Sequence, residues 1–225
     1  MSTIAERLAG VRDALPDSVQ LVAVSKFHAA DVVREAYDAG QRVFGENRVQ
    51  ELVAKQPLLP SDIEWHFIGS LQTNKVKYIV PFIHTIQSID SLRLLAEVDR
   101  AAERVGRRIR VLIEVHIAEE ASKHGFSVEE CWGLFAEGAF GAYKHIEVAG
   151  LMGMATFTDD ADQVRREFKR LRGLFDEVKA MPNVSDEVFT ELSMGMSDDY
   201  PLAIEEGSTM VRVGTKIFGP REYKK

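Results

Sequence analysis

The chain has 225 residues, 28 basic and 35 acidic side chains, and a formal net charge of −7. This length favours one domain over two ordinary ones. The negative charge argues against a broad nucleic-acid interface, because such an interface needs a basic surface. We therefore expect a single domain over residues 1–225 that has no nucleic-acid partner.

Cysteine content and the N-terminal segment predict the compartment. The single cysteine, Cys131, excludes an intramolecular disulfide and a zinc site built on several thiolates. Charges at Glu6, Arg7, Arg12 and Asp13 interrupt the N-terminal segment, unlike a secretory signal peptide. No run approaches the ~18 apolar residues of a membrane span. We expect a cytoplasmic protein with no membrane contact, since a chain without disulfides suits a reducing compartment.

Helix-like and strand-like patterns alternate along the chain. Ile4, Leu8, Val11 and Leu15 recur at helical spacing, and Pro16 closes this first predicted helix. Short runs rich in β-branched residues then predict buried strands. These runs are 20–26, 42–45, 64–69, 82–88, 108–116, 146–152, 187–193 and 209–214. Each run except the last is followed by a helical pattern.

Strands separated by helices predict an α/β fold with parallel pairing, because each crossover needs a dozen or more residues. Eight such units close naturally into a (β/α)8 TIM barrel of about 250 residues, of which this chain is a compact version. An open, doubly wound sheet is the alternative. The hydrophobic period alone does not decide between the two.

In a barrel, chemistry is expected at the carboxyl ends of the strands. Lys26 ends the first strand on the face of Val22 and Val24, where partial desolvation lowers a lysine pKa and supplies a neutral amine for a Schiff base. A lysine that extends its amine into solvent is the alternative. Gly214 and Thr215 follow the last strand, where backbone N–H groups and a hydroxyl can hold phosphate oxygens. A simple turn is the alternative there.

Two further strand ends are notable. After the seventh strand, Ser197 is predicted to cap a helix that has Pro201 in its first turn and whose N-terminus would favour an anion. A capped helix with methionines packed in the core explains that segment equally well. Arg212 lies on a buried strand and needs an acceptor, which would be a structural carboxylate such as Glu191 or a ligand.

Three histidines, His66, His84 and His116, lie on three different predicted strands and raise the question of a metal site. The sequence lacks a local ligand pattern such as His-x-x-x-His. Core histidines bonded to the backbone are the commoner case, so we predict no metal.

Several longer motifs recur in a fixed order. They are VAVSK at 22–26, FGENRVQE at 44–51, WHFIGSLQTNK at 65–75, QSID at 87–90, SKHGF at 122–126, GLM at 150–152, LSMGMS at 192–197 and VRVGTKIFG at 211–219. On these motifs the chain, over about residues 4–221, resembles the YggS/PROSC-type pyridoxal phosphate homeostasis proteins. Their fold is similar to the barrel domain of alanine racemase.

The resemblance implies a bound cofactor, pyridoxal 5′-phosphate, and a role for individual residues. Lys26 resembles the lysine that holds the cofactor as an internal aldimine. Arg212 resembles the arginine that faces the pyridine nitrogen, and Asn47 a polar contact near the cofactor. The sequence departs from many members at Phe27 and His28, which stand where threonine and proline are frequent.

The same resemblance implies a phosphate cradle. Gly214 and Thr215 match its principal residues, and Ser193, Met194 and Gly195 match a second loop of that cradle. A further departure is His116, where an asparagine is frequent. These departures affect the cofactor rim and leave the expected lysine linkage unchanged.

The function implied by the resemblance is a pyridoxal phosphate carrier that maintains vitamin B6 levels without catalytic turnover. Only residues 220–225 follow Gly219, so we expect no second β domain of the kind that supplies the second acid–base residue in alanine racemases. We also expect a monomer that delivers cofactor to apo forms of pyridoxal-phosphate enzymes. The alternatives are a fold-type III racemase or decarboxylase, and a Schiff-base aldolase acting on phosphosugars.

Overall fold

The structure, a computed structural model, describes residues 2–119 and 124–220. Within these ranges eight strands form one closed sheet. They are β1 Gln20–Val24, β2 Val43–Glu46, β3 Glu64–Phe67, β4 Thr85–Ile89, β5 Ile109–His116, β6 Ile146–Met154, β7 Glu191–Ser193 and β8 Met210–Val213. Residues 122 and 123 of the SKHGF motif lie outside the described ranges.

Pairing of the first strand with the last decides between the two predicted architectures. β1 and β8 are parallel, with Gln20 opposite Met210 and Val22 opposite Arg212. An open sheet would leave an unpaired edge on both outer strands, whereas this pairing closes the ring. The predicted (β/α)8 barrel is therefore confirmed. The prediction of one domain over residues 1–225 stays a prediction.

Nine α-helices accompany the strands in the part of the chain that the structure describes. They are α1 Ile4–Asp13, α2 Ala30–Asp38, α3 Val49–Lys55, α4 Val76–Ile79, α5 Leu92–Arg104, α6 Val128–Ala136, α7 Ala161–Lys179, α8 Tyr200–Glu205 and α9 Thr215–Phe218. Short 3-10 turns occur at Gln56–Leu58, Thr73–Lys75 and Ala139–Ala142. Across residues 2–119 and 124–220, no helix has the length and apolarity needed to cross a bilayer.

The first helix forms where the sequence predicts it. Thr3 caps α1, and Glu6 completes a capping box by accepting from the Thr3 backbone N–H. Ile4, Leu8 and Val11 are buried on the face that joins the main core. Helix α1 therefore covers the barrel by its apolar stripe.

Side chains inside the barrel form a second, smaller cluster. Val22 on β1, Leu112 on β5 and Met210 on β8 are buried together. β5 is not a neighbour of either other strand in the ring, so these side chains can meet only in the interior. Val22 therefore points into the barrel.

Two local predictions of structure were wrong. Ser197 does not cap α8, because Asp199 is the residue before the helix and the Ser197 hydroxyl instead accepts from the Gly214 N–H at 3.1 Å. The last strand is also followed by a helix, since one turn, α9, begins at Thr215. The first difference arises because the loops after β7 and β8 bond to each other.

Candidate functional site

A cavity of about 270 Å³ opens at the C-terminal mouth of the barrel. Loops from six of the eight strand ends contribute to its wall. We call it the C-terminal cavity, and its lining residues are Val24, Lys26, His28, Asn47, Ile68, Met154, Phe157, Met196, Ser197, Asp198, Arg212, Gly214, Thr215 and Gly219. Of the eight residues predicted to bind the cofactor, Lys26, Asn47, Arg212, Gly214 and Thr215 line this cavity.

Lys26 is half-buried in the turn that follows β1, and residues on both sides anchor that turn. The buried Ser25 hydroxyl donates to Glu46 Oε1 at 2.6 Å, and the Phe27 N–H donates to Glu51 Oε2 at 2.8 Å. Phe27 has φ +69°, an uncommon left-handed conformation for a bulky residue. The turn therefore holds the lysine backbone against β2 and α3 while its side chain enters the cavity.

A buried ion pair lies under this turn. Lys55 Nζ donates to Glu46 Oε1 at 2.6 Å and to the Ser25 carbonyl at 2.9 Å. Burial raises the pKa of Glu46, and the Lys55 charge opposes that rise. Glu46 belongs to the FGENRVQE motif. A carboxylate within a short buried strand needs a partner, and this requirement was the sequence feature that could have indicated the ion pair. The sequence analysis did not identify it.

Asn47 follows β2 and presents a buried acceptor to the cavity. Its Oδ1 atom is inaccessible and has no hydrogen-bond partner among the described residues. The loop after β3 crosses directly beside it, because a Cβ at Gly69 would lie only 2.3 Å from the Asn47 carbonyl oxygen. A buried acceptor without a donor costs about 1–3 kcal/mol. A rotation of the Asn47 amide that turned this oxygen toward the cavity would let a ligand hydroxyl or N–H satisfy it.

Arg212 reaches the cavity from β8 and is only 4% exposed. One guanidinium nitrogen donates to Ser193 Oγ at 2.6 Å and the other to the Gly153 carbonyl at 3.0 Å. Burial lowers the pKa of Arg212 to about 10, so the side chain is still a cation at neutral pH. A guanidinium has five N–H donors, and these two bonds use two of them.

The carboxylate suggested as the structural partner of Arg212 was wrong. Glu191 is 2.9 Å from Arg110 instead. Ser193 on β7 pairs with Met210 on β8, so Glu191 lies nearer the N-terminal mouth than Arg212 does. The sequence identified the need for an acceptor, but only the strand register identifies which residue provides it.

The loop after β8 forms the side of the cavity suited to an anion. The N–H of Gly214 donates to Ser197 Oγ at 3.1 Å. A Cβ at Gly214 would lie 3.1 Å from the Val24 carbonyl oxygen, so the close approach of this loop to β1 favours glycine. Thr215 begins α9, and the first N–H groups of a helix have no acceptor within it. The loop thus combines a hydroxyl with backbone N–H groups.

The other predicted cradle residues lie behind the cavity wall rather than on it. Ser193 is buried and donates to Gln87 Oε1 at 2.7 Å while accepting from Arg212. Met194 is fully buried, and Gly195 has φ +97° in a turn where a Cβ would lie 2.6 Å from that of Ala203. The part of this loop that lines the cavity is the next three residues, Met196, Ser197 and Asp198.

The rim of the cavity contains His28, which was expected there, and two apolar residues that were not predicted from the sequence. Phe157 is 85% exposed and Met154 is 40% exposed, and both line the opening. His28 also lines it, with its ring 5.1 Å from that of Phe218. No period or motif in the sequence distinguishes Met154 and Phe157, because their position at the rim follows from the path of the chain after β6. His116, the other departure from the family pattern, is not a lining residue.

A closed barrel with a lysine, an arginine and a Gly–Thr turn at one mouth matches a known class of protein. The family described as "Alanine racemase, N-terminal domain" matches residues 1–222. The chain belongs to this family and, within it, to the pyridoxal phosphate homeostasis proteins that its motifs resemble.

Relatives named "Pyridoxal phosphate homeostasis protein" support that placement. The Aquifex aeolicus protein is 42% identical over 205 residues, which cover 91% of this chain and 88% of the relative. The human protein is 41% identical over 217 residues, covering 92% of this chain and 78% of the relative. The resemblance drawn from the motifs is therefore confirmed.

Solved structures agree with the fold. PipY from Synechococcus elongatus, with PLP bound, is 40% identical and superposes with a TM-score of 0.86 over 96% of this chain and 100% of PipY. Alanine racemase from Clostridium difficile is 14% identical, with a TM-score of 0.74 over 99% of this chain and 57% of the racemase. The second likeness shows a shared barrel fold.

Proposed function

We propose that this protein binds pyridoxal 5′-phosphate in the C-terminal cavity and acts in pyridoxal phosphate homeostasis. In this proposal Lys26 holds the cofactor as a Schiff base, and the protein does not turn over amino acids. The observation that carries the proposal is that Lys26, Arg212 and the Gly214–Thr215 turn line one cavity. PipY, 40% identical to this chain, has a structure with PLP bound, which supports it.

The residues present fit the chemistry of this cofactor, which supplies an aldehyde, a pyridine nitrogen and a phosphate. Lys26 offers an amine for the aldehyde, Arg212 a donor for the ring nitrogen, and the turn at Gly214 donors for the phosphate. The Asn47 oxygen lacks a donor among the described residues, and a ring hydroxyl would provide one if the amide rotated toward the cavity. The cavity volume of about 270 Å³ lies just below the roughly 300–1,000 Å³ of sites for drug-sized ligands, as expected for a small cofactor.

Arg212 constrains the chemistry that a bound cofactor could support. It offers a hydrogen bond but keeps its proton, so a pyridine nitrogen facing it stays unprotonated. Such a ring withdraws electrons less strongly than one paired with a carboxylic acid. Racemisation by two bases also needs an acid–base group on each face of the cofactor. No tyrosine is among the described residues that line the cavity.

The test is to fix the cofactor covalently to its lysine and to identify that lysine. The purified protein, loaded with pyridoxal 5′-phosphate, should show a visible absorbance band that borohydride reduction removes. Trypsin does not cleave after a modified lysine, so the reduced protein should give a peptide of residues 13–34 with the label on Lys26. A protein that takes up no cofactor would end the proposal, and a label on another lysine would end the assignment of Lys26. The absence of any such band would favour the aldolase alternative.

A racemase or decarboxylase is the second candidate, and the position of His28 favours it. This imidazole lines the same cavity as Lys26, where it could serve as a second acid–base group. Incubation of the loaded protein with L-alanine, followed by chiral chromatography and carbon dioxide detection, separates the two functions. Sustained formation of D-alanine or carbon dioxide would overturn the claim of no turnover and leave cofactor binding intact.

We further propose that the protein is a cytoplasmic monomer of one domain that delivers cofactor to apo enzymes. Light scattering coupled to gel filtration measures the mass in solution, which should be near 25.2 kDa. Loaded protein mixed with an apo enzyme that needs pyridoxal phosphate should restore that enzyme's activity. Borohydride-reduced protein is the control, because its cofactor is fixed to the lysine and should restore none.

A further inference from the structure

Three potential metal ligands meet at the N-terminal mouth of the barrel, opposite the C-terminal cavity. Glu64 is the first residue of β3, His66 lies two residues further along, and His84 directly precedes β4. One ligand atom from each lies within 4.8 Å of the others, and His84 Nε2 is 3.8 Å from Glu64 Oε2. His66 is opposite Thr85 in the β3–β4 ladder, so the strand register brings the two histidines together.

His66 gives this cluster an observation that points to a ligand. Its side chain is 1% exposed, and its Nδ1 atom lies 2.8 Å from Gln87 Nε2. Its Nε2 atom is buried without a hydrogen-bond partner in the described part of the chain. Burial lowers the pKa of His66 to about 3, so the imidazole is neutral at physiological pH. Neutral imidazole is the form that binds metals.

The other two side chains are placed to complete a site. His84 Nδ1 lies 2.8 Å from Thr85 Oγ1, which leaves Nε2 for a ligand and fixes the ring, as partners of metal-bound histidines do. The His66 and His84 rings are parallel, 5.6 Å apart. The side chains of Glu64 and His84 are each 45% exposed, so an ion has a path from solvent.

Carboxylates outnumber cations near the cluster, although the charge of Arg110 opposes a positive charge on His66. Arg110 is bonded to Glu147 at 2.5 Å and to Glu191 at 2.9 Å. Together with Glu64 these residues provide three carboxylates and one guanidinium, an excess of two negative charges. The Glu191 Oε2 atom is buried without a partner among the residues described. A divalent cation would balance this excess.

We propose that Glu64, His66 and His84 form a binding site for a divalent transition metal, for which zinc is the best match. Two imidazoles and one carboxylate are a common zinc ligand set that leaves a further position open. Zinc ligands lie about 2.1 Å from the ion and hence about 3.4 Å from each other. The ligand atoms of the two exposed side chains, Glu64 and His84, must therefore move closer to the other ligand atoms by roughly 1 Å. Rotation of the Gln87 amide would let its oxygen accept the His66 Nδ1–H, in exchange for the bond that this oxygen accepts from Ser193 in the metal-free chain.

Zinc titration of the tag-free, chelator-treated full chain tests the site, with a chromophoric chelator as competitor. The parent protein should bind one zinc per chain, and His84→Ala and Glu64→Gln should each weaken that binding at least tenfold. His145→Ala is the matched control, because its imidazole lies 3.8 Å from Asp99 Oδ1 without belonging to the three-ligand group. This control should bind zinc as the parent does.

Cobalt provides a second measurement that a structural effect of the substitutions would not reproduce. Cobalt bound by two imidazoles and a carboxylate in four-coordinate geometry should give a visible absorption band that zinc displaces and that His84→Ala lacks. The proposal is overturned by a parent protein that binds no stoichiometric zinc. Unchanged affinity in both variants, or an equal loss in His145→Ala, would overturn it as well. Circular dichroism of each variant verifies that the fold is retained.

Discussion

The two mouths of the barrel carry polar groups that are held in different ways. At the C-terminal mouth, Lys26 and Asn47 come from loops, and the Asn47 oxygen lacks a protein donor among the described residues. At the N-terminal mouth, Arg110 lies on β5 and is bonded to Glu147 on β6 and Glu191 on β7. The Arg110 ion pairs are formed between neighbouring strands of the sheet, whereas Lys26 and Asn47 come from loops that surround an open cavity. This difference explains why barrel chemistry belongs to the carboxyl ends of strands.

A chain of hydrogen bonds through the interior connects the two mouths. His66 contacts Gln87, the Gln87 amide oxygen accepts from Ser193, and Ser193 accepts from Arg212. These residues lie on β3, β4, β7 and β8. The orientation of Arg212 in the C-terminal cavity therefore depends on groups that extend toward the opposite mouth, and buried networks of this kind act as units.

The largest expected effect is that of Lys26→Ala on cofactor attachment. The variant should lose the borohydride-sensitive absorbance band completely, because no other residue of the turn carries an amine. Its stability should change by less than about 1 kcal/mol, as for most partly exposed substitutions. Lys77→Ala, an exposed lysine beside Tyr78, is the control and should keep the band. A band retained in Lys26→Ala would place the attachment elsewhere.

Arg110→Met should give the opposite result, a loss of stability without a loss of cofactor. It removes the partner of Glu147 and Glu191, whose side chains are 26% and 18% exposed. Breaking a buried ion pair costs about 3–5 kcal/mol, so about 2–4 kcal/mol is expected for this partly exposed one. Urea unfolding measures the change.

Arg100→Met is the matched control for this second variant. Arg100 pairs with Glu97 on the exterior of α5, with its side chain 55% exposed. Surface pairs contribute about 0–1 kcal/mol. If Arg110→Met were as stable as Arg100→Met, or if it lost the absorbance band, the contrast between the two mouths would fail.

A third prediction concerns a buried carboxyl group on β5. Glu114 is 6% exposed, and burial together with Asp90 raises its pKa to about 7, against the opposing charges of His124 and Arg212. The folded-state pKa lies above the unfolded value of 4.5, so stability is greatest at low pH and falls as pH rises through 7. The full loss is about 3 kcal/mol.

Glu114→Gln should therefore be more stable than the parent at pH 8, by about 3 kcal/mol, since the amide has no charge to bury. At pH 5 the difference should fall below about 1 kcal/mol. Denaturant unfolding at both pH values measures it, with Glu35→Gln, an exposed position on α2, as the control. A difference that did not change with pH would show that ionisation of Glu114 is not its cause.

The fold was predictable from the sequence because buried parallel strands are short runs of β-branched residues. Some strand boundaries were not predictable in this way. The predicted seventh strand began at residue 187, whereas β7 begins at Glu191. Val188 and Phe189 are apolar for another reason, since the Phe189 ring packs 5.4 Å from Phe135 and 5.0 Å from Phe175. A hydrophobic pattern indicates that residues are buried. It does not distinguish a strand from a turn that packs beneath helices.

The site was predictable where it depends on strand ends alone. Lys26 and Gly214 each follow a strand, and the carboxyl ends of parallel strands converge at one mouth. Ser193 and Gln87 were not identified as partners, because they meet across the interior from β7 and β4. Such a meeting depends on the closure and register of the whole barrel, which no local pattern contains.

The smallest expected effect is that of Thr215→Val on cofactor affinity. Thr215 is exposed, so a hydrogen bond from its hydroxyl to the phosphate competes with water and should contribute about 0.5–1.5 kcal/mol. Fluorescence titration with pyridoxal 5′-phosphate should thus show a Kd about 2- to 12-fold higher. Thr73→Val, in the 3-10 turn that does not line the cavity, is the control. Equal affinities for Thr215→Val and the parent would show that the Thr215 hydroxyl does not hold the phosphate and would leave that role to backbone N–H groups at the start of α9.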